Sequence, residues 1–322
     1  MAKVGTCMFP IVYYLYSRTR FGYYYNKRSI KNAKEKYGDK EHSDLTQFDY
    51  GNVTILPIPM LNDNYAYLVS DTKNNKSVII DPGNAEAVQK VLAQRNIRPE
   101  AILATHKHWD HVGGSKELRQ LYPGIRVYGG EFDNVPDITH TLAEDDNLEF
   151  GDLKFQVIFT PGHTVGHIVY LLDGGTFGAS DCLFSGDCLF LGGSGHLFEA
   201  PATAMVTSLD KLVKLKDSTL LWPGHDNAAD NLDFSCHLEP ENIVIQNKLM
   251  WAKERRANRL CSCPSTIGEE KTYNPFLRTS DESILRAIGM ISSGELIQLS
   301  DESRARALNT VREHKDQFKY LT

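Results

Sequence analysis

An α/β fold of two packed sheets, covered by helices on both outer faces and followed by a small helical region, is the architecture the sequence predicts. Three observations point to it. Short apolar runs bounded by turn residues recur from Val53 to Leu221, with stretches of helical spacing between them. Four of those runs end in histidine or aspartate, three of them beside glycine, which is where α/β sheets place their sites. After His225 the strand signal stops and helical spacing takes over.

Taken in order, residues 53–58 and 66–69 read as strands joined by the turn Asn62, Asp63, Asn64, and 77–80 as a third before Asp81, Pro82, Gly83. Residues 86–94 have helical spacing at Val88, Val91 and Leu92. Strand 101–104, a polar loop, a helix over 115–121 and a strand over 125–128 follow. Strands are predicted over 155–159, 168–172, 182–185 and 220–221, with one helix over 203–214. Beyond His225, residues 239–259 are charged and helical in spacing at Ile243, Ile245, Leu249 and Met250. Pro264 and Pro275 bracket a loop, and helices are expected over 280–290 and 300–312. The expected division is 1–50 as an N-terminal segment and linker, 51–228 as the main domain and 229–322 as a helical domain.

The chain has 322 residues, 41% of them hydrophobic, enough for a large core. Its six cysteines, Cys7, Cys182, Cys188, Cys236, Cys261 and Cys263, are too few for a disulfide scaffold and read as reduced thiols of an intracellular protein. Cys261 and Cys263 lack the second pair that would complete a metal site and read as loop thiols. Net charge is −6, but residues 1–36 alone carry +7, which leaves −13 on the rest. An acidic body argues against nucleic acid as a partner. The aromatic run from Cys7 to Tyr16 falls short of the roughly 20 residues that a spanning helix needs, and it lacks the cleavage site of a secretory signal. A basic, interfacial anchor for anionic membrane is the expectation. A mitochondrial targeting segment, a spanning helix shortened by alternative splicing and a disordered tail are the other readings. From Lys34 to Asp49 the polar composition reads as a linker, so the folded part is expected to begin near Val53.

The organising stretch is THKHWDH, Thr105 to His111, directly after the apolar run 101–104. It packs three of the eleven histidines and one aspartate into six residues. In an extended segment His106 and His108 point the same way, while Asp110 and His111 fall on the bend into the next helix. Imidazole with carboxylate suits zinc, iron or manganese rather than calcium. Three further strand ends present a candidate ligand: His163 after Pro161 and Gly162, Asp187 after Gly186, and His225 after Pro223 and Gly224. Any one of these alone is an ordinary turn residue or cap. Together with the loop they make seven candidates, more than one tetrahedral ion takes, and so favour two ions sharing a carboxylate.

THxHxDH, then a strand-end histidine, a Gly-Asp and a Gly-His in this order resemble the metallo-β-lactamase superfamily. Within it the chain resembles glyoxalase II, the hydroxyacylglutathione hydrolase family, and the resemblance runs over nearly the whole chain. The resemblance implies a metallo-β-lactamase-type αββα sandwich with a helical C-terminal domain. It implies one ion on His106, His108 and His163, another on Asp110, His111 and His225, and Asp187 bridging. Zinc is the expected metal, with iron the alternative. The family grips glutathione with a Lys-x-Tyr after the Gly-Asp segment, a tyrosine two past the last histidine and an Arg-x-x-Lys near the C-terminus. Here these are His196 and Phe198, Asn227, and Arg312 and Lys315, so only the last is kept. Without the resemblance, Arg312 and Lys315 read as a solvated helix face, His196 as a surface histidine and His167 as a supporting or core residue. His42, His140, His237 and His314 are given no role.

Two ions lower the pKa of a shared water to about 7, which makes a nucleophile at neutral pH. Asp110 is placed to orient it. A thiol of pKa about 8.5 departs as thiolate with little protonation, so a thioester, an S-acyl glutathione or related acyl thiol, is the natural small-molecule substrate. No GxSxG nucleophile motif competes. Two alternatives stand beside this hydrolase. One is an iron-dependent persulfide dioxygenase of the same superfamily, which holds a single ion on fewer ligands. The other is a membrane-tethered adaptor that keeps the fold with low activity. Membrane-associated or mitochondrial placement inside the cell is expected.

Overall fold

The structure, a computed structural model, describes residues 9–38, 40–292 and 300–318. The start of the basic segment, with Lys3 and Cys7, lies outside the described residues.

Period-two alternation assigns the central strands of the first sheet to two cores at once. In β2 (Val53–Met60) the residues Val53 and Ile55 enter one core while Leu56, Ile58 and Met60 enter another. β3 (Asn64–Asp71) repeats this with Tyr65, Tyr67 and Val69 against Ala66 and Leu68. In β4 (Lys76–Ile80) Val78 and Ile80 oppose Ile79, and in β5 (Ala101–Leu103) Ala101 and Leu103 oppose Ile102. With β1 (Phe48–Tyr50), β6 (Arg126–Gly130) and β7 (His140–Leu142), these form a sheet in the order β1-β2-β3-β4-β5-β6-β7. Pairing is antiparallel from β1 to β4 and parallel from β4 to β7. Its outer face is covered by α3 (Ala85–Arg95), through Val88, Val91 and Leu92, and by α5 (Ser115–Leu121), through Leu118.

The second sheet comprises β8 (Asn147–Phe150), β9 (Leu153–Phe159), β10 (Ile168–Leu172), β11 (Cys182–Gly186), β12 (Leu220–Pro223) and β13 (Ser265–Thr266), in the order β13-β12-β11-β10-β9-β8. Its aromatic and aliphatic residues fill the interlayer core with those of the first sheet. Trp222, fully buried, stacks on Phe184 with ring centroids 6.3 Å apart. Truncating one such aromatic costs about 3–5 kcal/mol. α6 (Ala202–Val213) buries Met205, Leu209 and Leu212 in the same core. The αββα sandwich is the fold expected from the sequence.

The C-terminal region consists of α7 (Ala228–Leu238), α8 (Ile243–Ala257), α9 (Ile267–Tyr273), α10 (Glu282–Ala287) and α11 (Asp301–Phe318). It is not strand-free as the sequence suggests. β13 pairs antiparallel with β12, at Leu220 with Thr266 and Leu221 with Ser265, and ties the helices to the second sheet. Two residues are too few to show alternation. Five cysteines, Cys182, Cys188, Cys236, Cys261 and Cys263, are free thiols.

The N-terminal segment also differs from expectation. α1 (Phe9–Arg18) and α2 (Arg20–Tyr37) are helices packed on the body, and α2 runs to Tyr37 where composition reads as a linker. The helix is sustained by its contacts: Gly22, Asn26 and Ala33 form its buried face, and Asn26 Nδ2 donates to the Gly83 carbonyl at 3.0 Å. Among the described residues no helix is long and apolar enough to cross a membrane.

Candidate metal centre

Every predicted ligand sits just past a strand of one or other sheet, and all of them meet at one edge of the sandwich. β5 ends at Leu103, and the loop behind it carries His106 and His108. The single helical turn α4 (Trp109–Val112) then swings Asp110 and His111 inward. His163 follows β9, Asp187 follows β11 and His225 follows β12. Gly224 has no room for a side chain, because a Cβ there would stand 2.6 Å from Asp187 Oδ1 and 2.7 Å from His111 Cε1.

The nitrogens form two groups on either side of Asp187. His108 Nδ1 lies 3.0 Å from His106 Nε2 and 2.9 Å from His163 Nε2. His163 Nε2 is 3.3 Å from Asp187 Oδ2. On the other side, His111 Nε2 and His225 Nε2 are 3.3 Å apart and lie 3.2 and 3.4 Å from Asp187 Oδ1. Asp110 Oδ2 completes that group at 3.6 Å from His111 and 3.5 Å from His225. Ligands about 2.0–2.1 Å from a tetrahedral ion stand about 3.3 Å from one another, the spacing seen here. Asp187 Oδ1 is buried and faces only the His111 and His225 nitrogens, with no well-formed hydrogen bond among the described residues, so its charge depends on what those two imidazoles hold. The residues therefore fit two divalent metal ions.

Each histidine turns one nitrogen inward because its other nitrogen is held from behind, as metal-binding imidazoles require. His106 Nδ1 meets Thr105 Oγ1 at 3.1 Å, His111 Nδ1 meets Asp81 Oδ2 at 3.1 Å and His225 Nδ1 meets Asp63 Oδ1 at 3.0 Å. His163 Nδ1 donates to the His196 carbonyl at 2.8 Å, and His108 Nε2 lies 3.0 Å from the Tyr13 hydroxyl. Asp110 is held twice, by Asn64 Nδ2 at 3.0 Å on Oδ2 and by the Tyr16 hydroxyl at 2.8 Å on Oδ1. His167 is no part of either group. Its Nε2 accepts from the Asp187 backbone amide at 3.2 Å, and its Nδ1 lies 2.9 Å from Thr160 Oγ1.

Burial and neighbouring imidazoles push His106 and His108 well below the usual histidine range, so both are neutral and ready to ligate. The second group is different. Burial opposes a charge on His111, but Asp187 and Asp110 outweigh it and push its pKa up to about 10. Burial likewise opposes the charge on Asp110, yet His111 and His225 hold it down to about 2. His111, His225 and Asp110 would hold a metal ion there in exchange for a proton, their carboxylate partners being already ionised.

A cavity of about 280 Å³ opens from this cluster and reaches Arg312 and Lys315. Both are on α11, and neither is the solvated face that spacing alone suggests. Lys315 is buried, donates to the Asp230 carbonyl at 3.3 Å and sits over the Phe234 ring. Arg312 donates to the Ser194 and Gly195 carbonyls and lies over Phe276; burial pulls its pKa down to about 10, still charged at neutral pH. His196, Phe198 and Asn227 line the same cavity. His196 also serves through its carbonyl, while Phe198 stacks on Tyr13 at 4.9 Å. Sequence reasoning missed Asp63, Asn64, Asp81, Tyr13 and Tyr16. Asp81 was findable, since it ends a strand beside Pro-Gly just as the ligands do. The tyrosines carried no local signal.

The sequence matches two family descriptions, "Metallo-beta-lactamase superfamily" over residues 61–225 and "Hydroxyacylglutathione hydrolase C-terminus" over residues 226–318. A hydroxyacylglutathione hydrolase of Rippkaea orientalis is 39% identical over 72% of this chain and 91% of its own length. A hydroxyacylglutathione hydrolase-like protein of Gallus gallus is 38% identical over 81% of this chain and 89% of its own. Among solved structures, ETHE1 from Myxococcus xanthus superposes with a TM-score of 0.53 at 25% identity, covering 83% of this chain and 90% of that one. With the two-sheet fold, the His/Asp cluster and relatives of this likeness, the chain belongs to the hydroxyacylglutathione hydrolase family of the metallo-β-lactamase superfamily.

Proposed function

We propose that the chain hydrolyses a thioester, an S-acyl glutathione or a related acyl thiol, using two divalent ions, zinc or a zinc and iron pair. The observation that carries this is the placement of Asp187, with His163 facing Oδ2 and His111 and His225 facing Oδ1. When bound, two such ions supply Lewis acidity to the scissile carbonyl and make an attacking water acidic at neutral pH. Asp187 spans the two groups, and Asp110 orients the water. A thiolate leaves without a general acid. Arg312 and Lys315, which line the cavity, offer two basic side chains to the carboxylates of a glutathione thiol. Phe198 and Asn227 cannot replace two tyrosine hydroxyls, nor the His196 imidazole the reach of a lysine ammonium, so activity on a glutathione thioester is expected to be weaker than in relatives with the full grip.

Metal analysis together with a panel of acyl thioesters tests the reading. Close to two ions per chain and turnover of at least one thioester are expected. A single tightly held iron that survives Asp110→Ala would transfer the reading to a dioxygenase. Metal-loaded protein inert on every thioester, even after His196→Lys, Phe198→Tyr and Asn227→Tyr together, would leave an adaptor. We also propose that α1 and α2 attach the protein to an anionic membrane surface inside the cell, or in the mitochondrion. In support, Ile11, Tyr14, Phe21 and Tyr24 are exposed, Tyr14 at 62% and Tyr24 at 65%, beside basic residues of the same helices.

A further inference from the structure

Residues 9–38 lie outside both family matches, yet they reach the metal-ligand cluster at two points. The Tyr16 hydroxyl donates to Asp110 Oδ1 at 2.8 Å, which leaves Oδ2 turned toward His111 and His225. The Tyr13 hydroxyl donates to Glu199 Oε1 at 3.0 Å and stands 3.0 Å from His108 Nε2. With its own proton committed to Glu199, that oxygen accepts from His108 Nε2, and the Nδ1 of the same ring faces His106 and His163 as a lone pair. Glu199 is fixed in turn by Lys107, whose Nζ lies 2.7 Å from Oε2. Of the five histidines, His108 alone has its rear partner supplied by the N-terminal helices. The sheets and their loops supply the other four.

The helices are seated firmly enough to do this. Trp109, between two predicted ligands in the loop, donates Nε1 to the Tyr16 carbonyl at 3.0 Å. Gly22 lies so close that a Cβ would stand 1.9 Å from the Tyr16 carbonyl and 2.2 Å from the Trp109 ring. Tyr23 and Lys27 both reach Glu117, at 2.8 Å each.

We propose that Tyr13 and Tyr16 are positioning residues of the metal centre, holding His108 and Asp110 in ligand geometry, so that the N-terminal helix is part of the active site. The inference rests on the two-ion reading but not on the thioester. Its test is therefore metal binding: cobalt(II) titration of the full-length protein after chelation, followed by affinity and by visible absorption. Tyr13→Phe and Tyr16→Phe each remove one oxygen, so the thermal midpoint of chelated protein should stay near wild type. Each is expected to weaken one cobalt site by about 10- to 100-fold and alter its absorption band. Gly22→Ala should produce a similar loss with both hydroxyls still in the chain, because it forces α2 off Trp109. Wild-type affinity and spectrum in both phenylalanine variants would overturn the inference, whatever the turnover of thioester. Two-ion binding that falls in the variants, in a protein inert on every thioester, would uphold it while removing the proposed reaction. A wild-type protein that takes up no cobalt would overturn the two-ion reading and this inference with it.

Discussion

Asp81 Oδ2 lies 3.1 Å from His111 Nδ1, and the same carboxylate accepts from the Thr105 amide at 2.8 Å and the Thr105 hydroxyl at 2.7 Å. One side chain at the end of β4 thus fixes both the start of the histidine loop and its last member. Thr105 passes the constraint on, because its hydroxyl proton goes to Asp81 and its oxygen is free to accept from His106. Asp81→Asn keeps a residue that tolerates the left-handed backbone at this position, φ 51°, but removes the charge behind His111. Metal affinity is expected to fall about 10- to 100-fold at the Asp110, His111, His225 group, with the fold intact. Isothermal titration with zinc against wild type measures it.

Gly224→Ala should act more sharply. The added methyl would contact Asp187 Oδ1 and His111 Cε1 at once, and both neighbouring strand ends are fixed, since Gly224 donates to the Gly186 carbonyl at 2.9 Å and accepts from Tyr65 N at 2.9 Å. The carboxylate shared by the two groups has to move. Metal content of the purified variant, by plasma emission, is expected to drop from near two ions to one or none, whereas circular dichroism should stay that of the wild type.

What the sequence discloses here divides by range. The ligands were legible because each follows an apolar run and stands beside residues that let the chain turn tightly, a pattern complete within six or seven residues. The layers were legible because short apolar runs bounded by turn residues recur with stretches of helical spacing between them, a pattern that two sheets covered by helices accommodate. Asp63 and Tyr16 were not, since each acts on a residue more than 90 positions away and nothing in its own surroundings marks it, whereas Asp81 shares the strand-end pattern of the ligands. Composition misled over residues 34–37, read as linker, for a related reason: they continue a helix whose buried face, Gly22, Asn26 and Ala33, meets a surface that the stretch itself does not encode.

Asp71 gives a stability test away from the metal cluster. At the end of β3 it accepts from the amides of Lys73, Asn74 and Asp152 at 3.0, 3.0 and 2.7 Å and from Asn74 Nδ2 at 2.6 Å. Burial opposes its charge, but these donors win and hold its pKa below the usual value. A depressed acid contributes stability above its unfolded pKa, about 3.9, and loses it as pH falls through the folded value. Asp71→Asn is expected to cost about 1–3 kcal/mol at pH 7. Urea unfolding should show the gap between variant and wild type narrowing below pH 4.

Membrane attachment through α1 and α2 predicts that the intact protein co-sediments with vesicles containing phosphatidylserine, and less so in high salt, as each Lys or Arg near the surface contributes roughly 1 kcal/mol. Serine at Ile11, Tyr14, Phe21 and Tyr24, all outward-facing, should weaken binding without disturbing Tyr13 or Tyr16 on the inner side. Equal sedimentation of variant and wild type would remove the membrane surface as a partner.

Arg312 separates substrate binding from scaffold. Its Nη2 donates to the Ser194 and Gly195 carbonyls and its Nη1 lies 4.0 Å from Asp316 Oδ1, so a substrate carboxylate would meet the remaining N–H groups at the cavity wall in competition with Asp316. If those groups bind the glutathione portion of a thioester, Arg312→Ala removes an interaction made equally in ground and transition states. KM should then rise with kcat nearly unchanged. A lost hydrogen bond to a charged group, about 1.5–3 kcal/mol, corresponds to a fall in kcat/KM of about 10- to 150-fold. The competing outcome is distinct: the 194–196 turn also carries the His196 carbonyl that orients His163 at 2.8 Å, so a purely structural arginine would lower kcat and metal content together. Steady-state kinetics on S-lactoylglutathione, with metal measured on the same samples, decides between them, and Arg312→Lys, which keeps the charge but loses the planar fork, should fall between wild type and alanine only if the arginine holds the substrate.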